Sequence, residues 1–235
     1  MIYIQSDSDR ILPHHFDVSS VLYGAIDTAQ DYRLTTIEEV MSGKFDTVIK
    51  RHLFVGSVEF MNEVFNRVDI SDPRVPMNSN REHTISTLEN AHLRVSKGET
   101  LFIKPYKIKL FSGLVLDGCK YSCLVNLPGD TKVMIYEVFD NPLSEWRIYI
   151  HRGKIEDARN YSGDVMLMPD KDYINSVIEN CVDFPISYTI DIGILEKENI
   201  VVEFNDMWAI GNYGVPNDIY LRMIKDRYFE IIKTS

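Results

Sequence analysis

The chain has 235 residues, 45% of them hydrophobic, and a formal net charge of −10 at pH 7. That length can bury a core as one large domain or two small ones, while the acidic balance argues against unspecific nucleic-acid binding, which needs Lys and Arg to neutralise phosphates. No apolar run approaches the roughly 20 residues of a membrane span, so neither nucleic acid nor a bilayer is expected as a partner.

Met1 to Ile4 reads as a short strand, and Ser6 to Asp9 as a polar loop in which Ser and Asp suit turn and capping duty. This N-terminus has neither a basic n-region nor an apolar h-region, so secretion is not expected and the cytoplasm is the expected location. The three cysteines, Cys119, Cys123 and Cys181, are odd in number and lack a second pair for zinc; reduced, partly buried thiols are expected. His14 and His15 have no partner at metal-ligand spacing and receive no role. Thr36 is placed to cap a short helix to Met41 that stops at Gly43.

His52 to Ser57 is a strand ending at a glycine, and Val58, Met61, Val64 and Phe65 then follow helical spacing. Strand, glycine turn and helix make an α/β unit. A single Gly-Ser is too little for a dinucleotide fingerprint, since helix packing explains it as well. Asp69 to Asn80, with two prolines and little periodicity, is the candidate linker.

From about Ala91 the pattern reads as strands separated by turns. Thr100 to Lys104 precedes Pro105, which ends the strand or puts it at an edge, and Lys107 to Gly113 and Leu114 to Leu116 follow. Lys132 to Phe139 is nearly continuously apolar, as a strand buried on both faces would be. In Glu145 to Ile150, alternation points Trp146, Ile148 and Ile150 inward and Glu145, Arg147 and Tyr149 to the opposite side. Arg152-Gly153 turns the chain into Lys154 to Arg159 as a hairpin partner. Asp170 caps a helix to Cys181 with an apolar stripe of Tyr173, Val177, Ile178 and Cys181. Ala209 to Pro216 is a glycine-containing loop, and Asn217 to Ile232 closes the chain as an amphipathic helix.

The chemistry concentrates in the hairpin before that last loop. Ile186 to Ile194 alternates, with Tyr188, Ile190, Ile192 and Ile194 on one face and Thr189, Asp191 and Gly193 on the other. In Val201 to Trp208, Val202 and Phe204 point one way, Glu203 and Asn205 the other. Matching apolar faces pairs Ile194 with Ile200, Ile192 with Val202 and Ile190 with Phe204, setting Asp191 opposite Glu203 at a Cβ separation of roughly 5 Å. Two facing carboxylates repel unless a cation sits between them. Asp191, Glu203 and the Asn205 amide oxygen therefore read as a magnesium site of hard oxygen ligands. Lys104, Lys109 and Arg147 add cations suited to phosphate oxygens, and the backbone of Ser112-Gly113 could fold over the same phosphates. No nucleophile motif, Walker motif or kinase catalytic loop is present.

Phe102-Ile-Lys-Pro105 with Lys109, Tyr136-Glu-Val138, Ser144-Glu-Trp-Arg147, Asp191 and Val202-Glu-Phe-Asn205 together resemble the ATP-grasp superfamily. The likeness points to its divergent clade marked by one arginine and two lysines, which includes a eukaryotic cell-division-cycle translation-initiation regulator and many phage and bacterial proteins. The resemblance covers roughly Leu101 to Tyr213 and implies an α+β fold. ATP would lie between two small α+β lobes in residues 81–235, preceded by a small α/β domain in residues 1–80. It implies Lys104 and Lys109 on phosphates, the backbone of Tyr136, Glu137 and Val138 on adenine, and Arg147 at the γ-phosphate. Asp191, Glu203 and Asn205 would bind Mg²⁺. The implied activity is an ATP- and Mg²⁺-dependent carboxylate–amine ligase acting on a peptide, a protein or a small amino compound. The alternative is an ATP-binding assembly factor that clamps a protein partner without turnover.

Overall fold

In a computed structural model of the chain, described for residues 1–10, 12, 16–71, 73, 75, 83–106, 111, 113–119, 121–138, 142–196 and 198–234, helices and sheets are mixed. Three strands, β1 (Ile2–Gln5), β2 (Tyr32–Thr35) and β3 (Leu53–Val55), form a parallel sheet in the order β2-β1-β3. Parallel pairing follows from the crossovers, which need room for a helix or its equivalent: α1 (Phe16–Asp27) and α2 (Ile37–Met41) lie between the strands, and α3 (Val58–Asn66) follows β3. Thr36 caps α2 as expected, its hydroxyl accepting the Glu39 N–H while the Glu39 carboxylate accepts the Thr36 N–H. Ser57 caps α3 through the Phe60 N–H.

The chain packs as two compact units, Met1–Asn78 with Leu143–Ser235, and Ser79–Pro142. The packing boundary therefore differs from a simple split at residue 80, because the first sheet shares its core with the C-terminal helix α6 (Asn217–Lys233). Ile4, Phe54 and Phe65 lie in one cluster with Tyr220, Ile224 and Tyr228. Tyr228 donates its hydroxyl to the Ile49 carbonyl at 2.9 Å, and the Trp208 indole donates to the Pro73 carbonyl at 2.8 Å, which ties down part of the stretch read as a linker.

The same unit holds a second, antiparallel sheet in the order β11-β10-β8-β9, made of β8 (Ser144–His151), β9 (Lys154–Gly163), β10 (Ser187–Ile194) and β11 (Asn199–Asp206). Arg152 and Gly153 turn β8 into β9 with φ of 51° and 70°, the paired positive values of a two-residue hairpin turn. Trp146, Ile148, Ile150, Tyr188, Ile190 and Ile192 fill one face against Ile174 and Val177 of α5 (Lys171–Glu179), which Asp170 caps. The expected hairpin register is met at Ile190–Phe204 and Asp191–Glu203 and fails beyond them. A bulge between Asp191 and Ile192 pairs Ile192 with Val201, Gly193 with Ile200 and Ile194 with Asn199. The extra residue sends Val201, rather than Val202, into the core beside Phe204.

The other unit is an antiparallel sheet in the order β4-β7-β5-β6, from β4 (His83–Thr87), β5 (Leu101–Pro105), β6 (Leu114–Leu116) and β7 (Lys132–Tyr136). One face carries α4 (Leu88–Ser96), where the sequence pattern suggests only a run of strands. Thr87 caps α4, and Leu88 and Ala91, one turn apart, pack on Ile103, Val133 and Ile135. The central strand β7 is buried from Val133 to Tyr136, as its apolar run requires. Cys119 and Cys123 are exposed rather than partly buried, because they lie in the connection between β6 and β7, Cys123 within a single 3-10 turn (Ser122–Leu124) that buries only Leu124; Cys181 is half-buried. Among the described residues no helix is long and apolar enough to cross a membrane.

Two local features yield measurable expectations. Gly163 has φ of +75°, and a Cβ built there would lie 2.2 Å from the Leu143 carbonyl oxygen. Gly163→Ala should lower unfolding free energy by at least about 2 kcal/mol in urea titration. His151 is buried, with Nδ1 2.7 Å from Ser187 Oγ and Nε2 3.4 Å from Asp226 Oδ2; Arg152, Arg222 and Glu156 also act on it. Burial holds its pKa below the ordinary value despite Asp226. The folded chain therefore prefers the neutral ring, and its contribution is present above pH ~6.5 and is lost as pH falls through the lowered folded pKa. Chemical denaturation across that range should show this fall, and His151→Gln should flatten it.

Candidate active site

The polar face of the β8–β11 sheet carries a row of four charged side chains at directly opposed positions. Glu203 on β11 faces Asp191 on β10, Asp191 faces Arg147 on β8, and Arg147 faces Arg159 on β9. The adjacent row runs Asn205, Thr189, Tyr149 and Asp157. Alternation and motif spacing point to Glu203, Asp191, Asn205 and Arg147; they give no sign that Arg159 joins the row.

Asp191 and Glu203 illustrate the energetics. Two like charges about 5 Å apart at an effective dielectric near 20 repel by about 3 kcal/mol. Arg147 offsets this: its Nε donates to Asp191 Oδ1 at 2.8 Å and its Nη2 to Oδ2 at 2.7 Å. The pair is buried, Asp191 at 2% and Arg147 at 6% relative exposure. Burial opposes the Arg147 charge, yet hydrogen bonding and attraction to Asp191 outweigh it and raise the guanidinium pKa above its ordinary value. Asn205 completes the cluster, its Nδ2 donating to Asp191 Oδ2 at 3.4 Å and to Glu203 Oε1 at 3.2 Å.

Aromatic rings flank the arginine. The Arg147 guanidinium lies 4.7 Å from the Tyr213 ring centroid and 5.9 Å from that of Tyr161, and the two tyrosines stack at 5.2 Å. Tyr161 donates to Glu145 at 3.0 Å, and its burial, with Asp191 and Glu145 nearby, raises its pKa. Tyr149 runs from the same face into the core beneath and donates to the carbonyls of Gly211 and Asn212, both at 2.7 Å, anchoring the loop that bears Tyr213. The tyrosines carry no motif, and only the folded hairpin and loop bring them to Arg147.

The other candidate residues belong to the smaller unit. Phe102 and Tyr136 pair across β5 and β7, and Lys104 Nζ lies 5.5 Å from the Phe102 ring centroid and 5.9 Å from that of Tyr136. A Cβ at Gly113 would come within 2.7 Å of Phe102 Cζ and 3.0 Å of Lys104 Cγ, so only glycine lets the chain run this close to the lysine stem. Glu137 is exposed and Val138 half-buried at the end of β7. Lys109 and Ser112 lie outside the described residues.

The donor set on the hairpin suits Mg²⁺. Two carboxylates face each other beside an amide whose NH₂ group bonds to both; turning that amide by about 180° would present Oδ1 to the same place. Among the described residues no group of three or more His, Cys, Asp and Glu could hold a metal by itself. Two carboxylates and an amide oxygen match an ion that takes its remaining ligands from phosphates and water.

The central pair gives a stability expectation. Arg147→Ala leaves the Asp191 carboxylate buried without its partner and should cost about 3–5 kcal/mol in urea unfolding. Adding Asp191→Asn to that variant should recover part of the loss.

The matches to known proteins follow the same lines. The model for an ATP-grasp domain family, the second family of the clade marked by one arginine and two lysines, matches residues 79–223. A D-alanine–D-alanine ligase from Bacillus anthracis is similar in structure, with a TM-score of 0.56, 12% identity, and coverage of 99% of this chain and 98% of that one. An ATP-grasp RimK domain protein from Sphaerobacter thermophilus has a TM-score of 0.54 at 8% identity, covering 99% and 98%. The D-cycloserine synthetase DcsG has a TM-score of 0.55 at 13% identity, covering 98% and 99%. No curated protein matches the chain. These structural likenesses concern the fold. The family match spans most of the chain and takes in both the Lys104 strand and the charged row, and on that ground the chain belongs to this ATP-grasp domain family of the one-arginine, two-lysine clade.

Proposed function

We propose that the chain is an ATP- and Mg²⁺-dependent ligase that joins a carboxylate to an amine carried by a peptide, a protein or a small amino compound. The observation that carries this reading is the row Glu203–Asp191–Arg147 with Asn205 beside it, inside the segment matched to an ATP-grasp family. Residues 1–80 would correspond to the family's preceding α/β domain, which the start of the match at residue 79 supports.

Each residue has a chemical part in this reading. Glu203, Asp191 and the turned Asn205 amide would hold one or two Mg²⁺ ions. Arg147, already oriented by Asp191 and the tyrosine stack, would set a terminal N–H against the γ-phosphate, where charge grows during transfer. Lys104 and Lys109 would contact the phosphates as point charges, and the backbone at Ser112-Gly113 would donate to them. The backbone of Tyr136, Glu137 and Val138 would hydrogen-bond adenine, beside the Phe102 and Tyr136 rings. With ATP as co-substrate, a substrate carboxylate oxygen bonds to the γ-phosphorus while the bond to the bridging oxygen breaks onto ADP; the amine then displaces phosphate. That route requires no protein nucleophile.

Thermal denaturation tests the site. Mg·ATP at about 100 times its Kd should add about 2.7 kcal/mol of stability. Glu203→Gln and Asn205→Ala should each lose the metal-dependent part of it. ADP release that depends on both an added carboxylate and an added amine supports ligation. Tight nucleotide binding without turnover, with a protein partner co-purifying, would instead select a nucleotide-dependent clamp.

A further inference from the structure

Strand β11 lies at the edge of its sheet, with β10 as its neighbour on one side. The bulge after Asp191 separates Glu203–Asp206 from the register of the hairpin turn. Glu203 and Asn205 therefore sit on a short stretch that pairs with one strand alone, although metal ligands need to be held to within about 0.5 Å. Ladder bonds to a single neighbour leave the outer side of an edge strand without restraint.

The last residue of the strand supplies a second hold. Asp206 follows Asn205, and alternation turns its side chain to the opposite side, away from the charged row. There Arg227 of α6 grips it, Nε donating to Oδ1 at 2.8 Å and Nη2 to Oδ2 at 2.6 Å. The Arg227 and Asp206 side chains are 9% and 8% exposed, which makes this a second buried fork beside that of Arg147 on Asp191. The remaining terminal nitrogen, Nη1, donates to Glu230 Oε2 at 2.9 Å. The Glu230 carboxylate in turn accepts the Ile186 N–H at 3.0 and 3.1 Å, just before β10 begins and at the end where Tyr188 pairs with Asp206. One guanidinium thus ties both strands of the hairpin to a single turn of α6, and α6 is fixed in the core by Ile224 and Tyr228.

We propose that Arg227 and Asp206 are positioning residues for the metal ligands: their buried fork fixes how the end of β11 is turned, and so where the Asn205 amide points. This rests on the Mg²⁺ reading of the hairpin and deepens it. Neither residue reaches the charged row, so both act through Asn205 rather than on the ion. Arg147 orders the ligands from within the sheet, and Arg227 orders them from the last helix.

Isothermal titration of a non-hydrolysable ATP analogue into the full chain, with and without Mg²⁺, measures the gain in affinity that the metal brings. Asp206→Asn should cut that gain by about tenfold or more, while affinity without metal changes by less than about twofold and shows that the chain is folded. Arg227→Lys keeps the charge and loses the fork; it should cut the gain in the same direction, and it decides the matter if the asparagine variant does not fold. A double-mutant cycle separates positioning from general loosening. In an Asn205→Ala chain, adding Asp206→Asn should lower the gain by less than about twofold further, because the ligand that the fork positions is already gone. A gain equal to the parent's in both single variants would overturn the assignment, as would losses that multiply in the double variant. A parent chain whose nucleotide affinity ignores Mg²⁺ would overturn the metal reading itself and the inference with it, which separates the two failures.

Discussion

A buried ion pair, Arg147 with Asp191, is the constraint around which the larger unit is arranged. Both groups are almost fully removed from water, where an unmatched charge would be prohibitive, so the two-pronged geometry of guanidinium on carboxylate is required. The pair also sets what surrounds it. Glu203 can face Asp191 only because Arg147 and the Asn205 amide supply compensating donors. The tyrosine rings can lie against Arg147 because Asp191 occupies one edge of the guanidinium and leaves its flat face to them.

Two bulges bring the charges into line. Had β10 and β11 kept the register of their turn-proximal end, Asp191 would face Val202, and the slip between Asp191 and Ile192 is what sets Glu203 there. On the other side of the sheet, the register at Ile150–Ile155, continued, would place Ala158 opposite Arg147. A slip between Tyr149 and Ile150 brings Arg159 instead. Each bulge shifts one strand by a residue, and in a period-two structure that exchanges an apolar side chain for a charged one. The four-charge row is thus a product of two local irregularities, and a third, between Glu145 and Trp146, lies beyond it on the same hairpin.

The face opposite the row, filled by Ile148, Ile150, Ile190 and Ile192, gives the sheet its rigidity, and Tyr149 links the charged face to the other core. Its ring packs among residues of α6 and the first sheet, while its hydroxyl fixes the loop through Gly211 and Asn212. The N-terminal strands and the C-terminal helix, far apart in sequence, thereby support the same polar face. A site built on strands with a packed underside holds its donors in place without rearrangement.

Much of this was legible along the chain. Strict alternation in Ile186 to Ile194 and in Glu145 to Ile150 places Asp191 and Arg147 on one face with the isoleucines behind them, because strand geometry has a period of two and nothing in those stretches breaks it. Capping by Thr36 and Asp170, and the Arg152-Gly153 turn, were equally readable, since each depends on a few adjacent residues. Helix α4 was not: Leu88 and Ala91 span a single turn, too short a pattern to tell from an irregular strand until they pack on Ile103 and Val133. The bulges, the Tyr161–Tyr213 stack and the pairing of Arg147 with Arg159 left no trace in local pattern either. Register across strands is chosen by which side chains fit a common core, and loops such as Ile210 to Gly214 are placed by carbonyls that accept from a distant tyrosine. The linear order of residues therefore determined which chemical groups this protein has and, where no bulge intervenes, which face each one takes. Their partners were decided by packing, because only the closed cores select one register among those that alternation allows.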